Sequence, residues 1–268
     1  MKKKIVAVML LCGLLVGCGS KDDMTTNGVA SVIEQQSAMA IFEQAEANAL
    51  SYNFRSIIIN QYNGRELLST TEVYGNLVDN TYEVLYVDKD GGENIIKTQC
   101  FQDSPSTQRY ILTEYGWVMA DGQDTWRETF LGLFDFITPE SLTLVDESEY
   151  EFTDETKDSY LLEQVTKSED GEQIYYIGIY VNKASMLPEL VSFQVYNKAD
   201  GSETDENGNT YTNVMSESTA YLLGYFDENS ENYHDIIDAT SIPTDNVITQ
   251  EEYNTMYWKE VENGETNN

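Results

Sequence analysis

One imidazole, three thiols and 47 carboxylates are the groups with which this chain could do acid–base, nucleophilic or metal chemistry. His234 lies in the polar stretch 227–238 and reads as a solvated surface residue. A single histidine gives no support to a Ser-His-Asp hydrolase or a His-rich metal site. Neither a Gly-x-Ser-x-Gly elbow nor a phosphate-cradling Gly-Lys-Ser/Thr loop occurs. With so many acids, close carboxylate pairs arise by chance, so a glycosidase-type pair gains no weight from counting. Residues 200–209 are dense in hard oxygen ligands of the kind calcium takes. Counted from Asp205, however, the positions where a calcium loop needs Gly and Glu hold Thr210 and Ser216. Residues 88–93 fail the same test, and both stretches read as hairpin loops. The expectation is no catalytic residue, no metal site and no cofactor.

Among the thiols, Cys18 is placed for covalent modification. Lys2, Lys3 and Lys4 open the chain, residues 5–16 form a nearly unbroken apolar run, and Gly17 and Cys18 follow. The run is about a dozen residues, short of the ~20 that span a bilayer, and fits a secretory signal peptide. Leu15-Val16-Gly17-Cys18 resembles the bacterial lipobox. That resemblance implies a diacylglycerol on the Cys18 sulfur and cleavage of residues 1–17. The body would then be held by lipid at the extracytoplasmic face of a bacterial cell membrane. Cys12 would leave with the signal, so only Cys100 keeps a free thiol and no intrachain disulfide can form. A lone cysteine in an apolar run is expected to be buried and inert.

Charge narrows the partners. A formal net charge of −32 excludes non-specific nucleic-acid binding, which needs a basic surface. Cleavage would remove three lysines and make the chain more acidic still. Such a surface repels anionic headgroups, leaving the lipid as the membrane contact. Yet 41% hydrophobic and 12% aromatic residues exclude a disordered acidic chain. At 268 residues the chain can bury a core without disulfides.

The elements follow from pattern. Residues 18–30 read as the lipidated cysteine and a polar tether. Ser31 and Glu34 fit a capping box, and Ala38, Ile41, Phe42, Ala45 and Ala49 then form one helical stripe over residues 32–49. Runs at 54–61, 71–78, 81–88, 95–101, 108–113, 115–120, 160–166, 173–182, 189–197 and 211–226 read as strands between Asx/Gly turns. Together they make an antiparallel meander of roughly nine to eleven strands. The stretch 125–142 breaks the alternation with Trp126, Phe130 and Phe134 at helical spacing, then a fresh start at Thr138-Pro139-Glu140. Residues 31–248 are expected to be one domain. Residues 249–268 are a polar tail in which Thr249 and Glu252 cap a short helix. In 173–182, 81–88 and 115–120 both strand faces are apolar, so the sheet is covered, or lines a cavity, on both sides. A mainly β (α+β) half-barrel is favoured: one curved antiparallel sheet with helices in its concave face. A two-sheet sandwich is the alternative.

Residues 110–112, 115–118 and 124–126, then Tyr176-Ile177-Gly178-Ile179-Tyr180-Val181-Asn182 and Leu187-Pro188-Glu189-Leu190, carry a further likeness. With the order helix, meander, helical interruption and returning strands, they resemble the lipoprotein-carrier (LolA/LppX-like) superfamily over residues 31–243. The resemblance implies a groove between sheet and helices for a hydrophobic or acylated ligand. Tyr82, Tyr86, Tyr115, Trp117, Trp126, Phe130, Phe134, Tyr176 and Tyr180 are the candidate lining or lid. The chain departs from the soluble carriers in its tether at Cys18. The expected partners are the membrane, through the lipid on Cys18, a lipid or acylated ligand, and an envelope protein. The alternative function is an interaction or sensor lipoprotein with no small ligand.

Overall fold

β-Branched and aromatic runs between turn residues do form strands in the computed structural model of the chain. It describes residues 32–64, 66–90, 93–102, 108–121, 126–146, 156–204 and 210–263. The signal peptide, Cys18 and the tether lie outside the described residues. So do Ser31 of the capping box, the turns at 91–92 and 122, the loop 205–209 and the last five residues.

Twelve strands are described: β1 (Phe54–Asn63), β2 (Glu66–Asn76), β3 (Thr81–Asp90), β4 (Glu93–Gln102), β5 (Gln108–Thr113), β6 (Gly116–Asp121), β7 (Thr143–Leu144), β8 (Ser159–Lys167), β9 (Gln173–Asn182), β10 (Pro188–Thr204), β11 (Thr210–Phe226) and β12 (Val247–Thr249). Four helices accompany them: α1 (Val32–Leu50), α2 (Trp126–Leu131), α3 (Tyr233–Ala239) and α4 (Gln250–Asn263). The strands form one sheet of order β12-β6-β5-β4-β3-β2-β1-β11-β10-β9-β8-β7. That order is linear, so the sheet does not close on itself. The ladders β2–β3, β3–β4, β4–β5, β5–β6, β7–β8, β8–β9 and β9–β10 are antiparallel. Only β12, which returns from the far end of the chain, is described as parallel to its neighbour β6. The fold class expected from sequence, mainly β with one large antiparallel sheet and few helices, is the one observed.

By packing, the described residues fall into two compact units. One holds the described residues within 32–48, 61–67 and 137–221, and the other those within 49–60, 68–136 and 222–263. In the first, the helical stripe of α1 buries Ala38, Phe42 and Ala45. Asn48 donates to the carbonyls of Met186 (3.0 Å) and Ser185 (3.3 Å), tying α1 to the β9–β10 turn. β9 is buried on both faces, with Tyr176 and Tyr180 on one and Ile177, Ile179 and Val181 on the other. That is the two-sided burial expected of an alternation without polar positions. A single turn of 3-10 helix, Pro139–Ser141, follows the backbone bond that Thr138 donates to the Gln164 side chain (2.8 Å).

The second unit shows why β12 is parallel. Gly116 has φ +110°, and a Cβ there would lie 2.7 Å from the Asn246 carbonyl oxygen. That oxygen accepts from the Trp117 amide (3.1 Å) and starts the short ladder Val247↔Trp117, Ile248↔Val118, Thr249↔Met119. Next, Thr249 and Glu252 close the expected capping box. Glu252 Oε2 accepts from Thr249 N (2.8 Å), and Thr249 Oγ1 accepts from Glu252 N (3.2 Å). Two-sided coverage fails at β5–β6, where Leu112 and Met119 are exposed although Val118 on the other face is buried. The physical reason is that nothing described seals that part of the face opposite Val118.

Gly116→Ala should therefore cost about 2 kcal/mol, by clash and by a φ that L-residues rarely adopt. Urea denaturation reads the loss, and hydrogen exchange should speed selectively at the Trp117 amide. Unchanged exchange there would contradict the assigned role of Gly116.

Candidate functional site

Arg55 organises the second unit. It is 6% exposed on β1 and directs its donors to backbone carbonyls. Nε reaches Tyr52 O (2.7 Å), Nη1 reaches Phe130 O (3.1 Å) and Nη2 reaches Leu50 O (3.2 Å). Leu50 ends α1, and Phe130 lies in the last turn of α2. Both helices lack a basic residue in that last turn. Their terminal carbonyls carry the negative end of the helix dipole, so a cation from β1 supplies what their own sequences omit. Burial lowers the guanidinium pKa, against the opposing pull of the Tyr225 and Tyr82 phenols. Arginine remains charged despite such a shift.

Arg55 thereby holds α2 over β2 and β3. The Phe130 ring stacks on Tyr82, with centroids 5.8 Å apart and planes 25° apart. Beneath it lies Gly75, the cross-strand partner of Tyr82. A Cβ at 75 would come within 2.9 Å of Phe130 Cε2 and 3.2 Å of Tyr82 Cδ1. The glycine is thus a shaped hollow that one ring fills. Tyr82, 0% exposed, and half-buried Tyr86 project from the same face, with Gly75, Val73 and Thr71 opposite Tyr82, Val84 and Tyr86.

Register places the other candidates. The row Val84–Gln99–Ile111–Val118 crosses four strands, so Val118 shares the Tyr82 face and Trp117 points to the opposite one. Tyr115 precedes Gly116 in the turn and packs edge-on against Tyr253 of α4 (5.8 Å). Trp126 is half-buried at the start of α2, and Phe134 is buried just beyond its end. Tyr176 and Tyr180 belong to the first unit, where the Tyr176 hydroxyl donates to Glu163 Oε1 (2.5 Å). So Tyr82 and Phe130 come together and Tyr86 shares their face of the sheet, whereas Trp117 faces away from them.

On the Trp117 face of β2–β3 stands a group the sequence reading did not single out. Glu72 is buried and accepts from the Tyr74 hydroxyl (3.3 Å). Burial first, then Glu72, pushes Tyr74 up to about 12. Burial and the Glu72 charge also push the Glu83 carboxyl above its usual range. His234 is exposed on α3, and no group of metal-ligating side chains occurs among the described residues. Cys100 stands on β4 opposite Glu83 and Tyr110. Among the described residues no helix is long and apolar enough to cross a membrane.

No protein-family model and no curated protein matches the chain. Among solved structures it is similar to the Mycobacterium tuberculosis lipoprotein LppX. The TM-score is 0.45 at 8% identity, over 73% of this chain and 98% of that one. It is also similar to an uncharacterized conserved protein from Thermus thermophilus. Here the TM-score is 0.29 at 12% identity, over 80% of this chain and 100% of that one.

Two outcomes follow from the geometry. Arg55→Met should destabilise the protein by about 3 kcal/mol, because three carbonyls lose a charged donor. Arg55→Lys should recover only part of it, since an ammonium cannot match the three-way fork. Chemical denaturation of the two variants decides this. For Glu83, the folded state binds the proton more tightly than the unfolded one. Its contribution is therefore present at acid pH and lost as pH rises through the raised folded-state pKa. Glu83→Gln should raise the melting temperature at pH 7 and by less at pH 4. A lower melting temperature at pH 7 would refute the like-charge contact with Glu72.

Proposed function

We propose that the chain is a non-catalytic binding protein of the bacterial cell envelope. It is tethered through a lipid on Cys18 at the extracytoplasmic face, and holds a hydrophobic or acylated ligand between α2 and the β2–β3 face. The observation that supports this most directly is the single-ring seat: Phe130 occupies the hollow over Gly75 and against Tyr82. α2 has six residues, too few to be stable alone, and is held by that ring and by Arg55. A short element held at two points can lift as a unit, and an acyl chain has the shape to replace the ring. Burying about 300 Å² of acyl surface supplies roughly 7 kcal/mol before ordering costs, with no polar signature required. Tyr82, Tyr86, Trp126, Phe130 and Phe134 are the proposed lining in this unit.

A second reading, an interaction lipoprotein without a small ligand, is favoured by the exposure of Met256, Tyr257 and Trp258 on α4.

Titration with a dansyl-labelled fatty acid tests the first reading. Saturable binding is expected, and Phe130→Ala should tighten it severalfold by emptying the seat, while costing about 3 kcal/mol of stability. Gly75→Ala should weaken binding, because its methyl occupies the hollow. No binding to either the parent chain or the Phe130 variant would overturn the reading.

A further inference from the structure

The described side chains of α4 stand almost entirely in water. From Glu251 to Lys259 every residue is exposed except Tyr253, which is the one resting on Tyr115. The exposed part is nonetheless aromatic. Tyr253 stacks on Tyr257 at 6.2 Å, and Tyr257 meets Trp258 edge-on at 5.5 Å. With Tyr115 these rings make a continuous row running outward from the β5–β6 turn. Met256 is 41% exposed, Tyr257 37% and Trp258 59%. Trp258 also borders an open recess along the other side of the helix, beside Gln250, Glu251, Asn254, Thr255 and Lys259. Anchoring α4 requires Tyr253, the capping box and the β12 ladder. It does not require a tryptophan, a tyrosine and a methionine in solvent. Grouped exposed aromatics of this kind mark contact surfaces.

The charge around the row selects the occupant. α4 carries four glutamates, Glu251, Glu252, Glu260 and Glu262, against Lys259 alone. Burial raises the Tyr253 phenol pKa, with Glu114 and Tyr257 adding to it, so a carboxylate from the turn stands at the row's inner end. A second copy of this chain would bring −32 against −32, and an anionic bilayer repels the same surface. A basic polypeptide is attracted by it, and its guanidinium and ammonium groups bind well over tyrosine and tryptophan faces.

We propose that the Tyr115–Tyr253–Tyr257–Trp258 row, with its acidic surround, is a docking surface for an arginine- or lysine-rich segment of another envelope protein. The inference rests on the protein-binding part of the second reading above and holds whether or not a small ligand occupies the seat under α2.

The whole chain without its lipid, as the Cys18→Ser variant, is titrated by calorimetry with a peptide of alternating arginine and leucine, its glutamate–leucine counterpart, phosphatidylcholine vesicles and phosphatidylglycerol vesicles. The arginine peptide should bind, and the glutamate peptide and both vesicles should not. The double substitution Tyr257→Ala/Trp258→Ala should weaken the arginine peptide at least tenfold. It should leave circular dichroism, melting temperature and dansyl fatty-acid binding unchanged. Equal affinity in the double variant would mean that net charge alone attracts the peptide, and would overturn the proposal. So would binding to vesicles without binding to the arginine peptide, or concentration-dependent dimerisation that the double variant abolishes. Because fatty-acid binding is read on the same samples, either surface can fail without the other.

Discussion

A buried guanidinium that answers three backbone carbonyls is the constraint on which the second unit depends. Arg55 ties the end of α1, the residues that follow it and the last turn of α2 to one point on β1. Neither helix offers a basic residue to its own C-terminal dipole, so without Arg55 the buried Phe130 carbonyl and the part-buried carbonyls of Leu50 and Tyr52 would lose their charged donor. A hydrophobic residue of the same size would fill the space and leave the carbonyls unpaired, which is the costlier half of the exchange. The position of α2 follows from that contact, and the ring-over-glycine seat follows from the position of α2.

The two apolar surfaces of that unit differ in kind. At Gly75 the chain closes its own hollow with Phe130, so the surface is latent and opens only if a short helix lifts. At α4 the rings stand in water permanently, held there by the Thr249–Glu252 box and by the Asn246 carbonyl that Gly116 admits. A latent seat suits an apolar ligand that must be kept from water. A standing row suits a partner that arrives already folded or already charged.

Much of the fold is legible in the sequence. The stripe Ala38, Phe42, Ala45 and Ala49 is the buried face of α1, and the ten strand runs correspond to ten of the twelve described strands. β7 and β12 are not legible, because two or three residues carry no periodicity. β12 is specified instead by a carbonyl approaching Gly116, a contact between residues more than a hundred positions apart. α3 also escapes the pattern, since its acids and its single buried residue, Ile236, give no stripe. For the site, alternation sorts each strand into two faces but cannot say which face of β3 continues into which face of β6. That parity is set by the ladder through β4 and β5. Tyr82, Tyr86 and Phe130 share one side of the sheet, while Trp117, grouped with them by its aromatic character, projects to the other. Arg55 carries a signal that periodicity does not register: a lone arginine just after a helix with no basic last turn.

The central claim is that an apolar molecule occupies the seat beneath α2. Native mass spectrometry of a Cys18→Ser chain, prepared without detergent and followed by organic extraction, tests it most directly. The account predicts a discrete added mass that extracts as lipid, is retained in the Phe130→Ala protein and is lost from Gly75→Ala. A clean mass for all three, unchanged after incubation with membrane lipids, would contradict it.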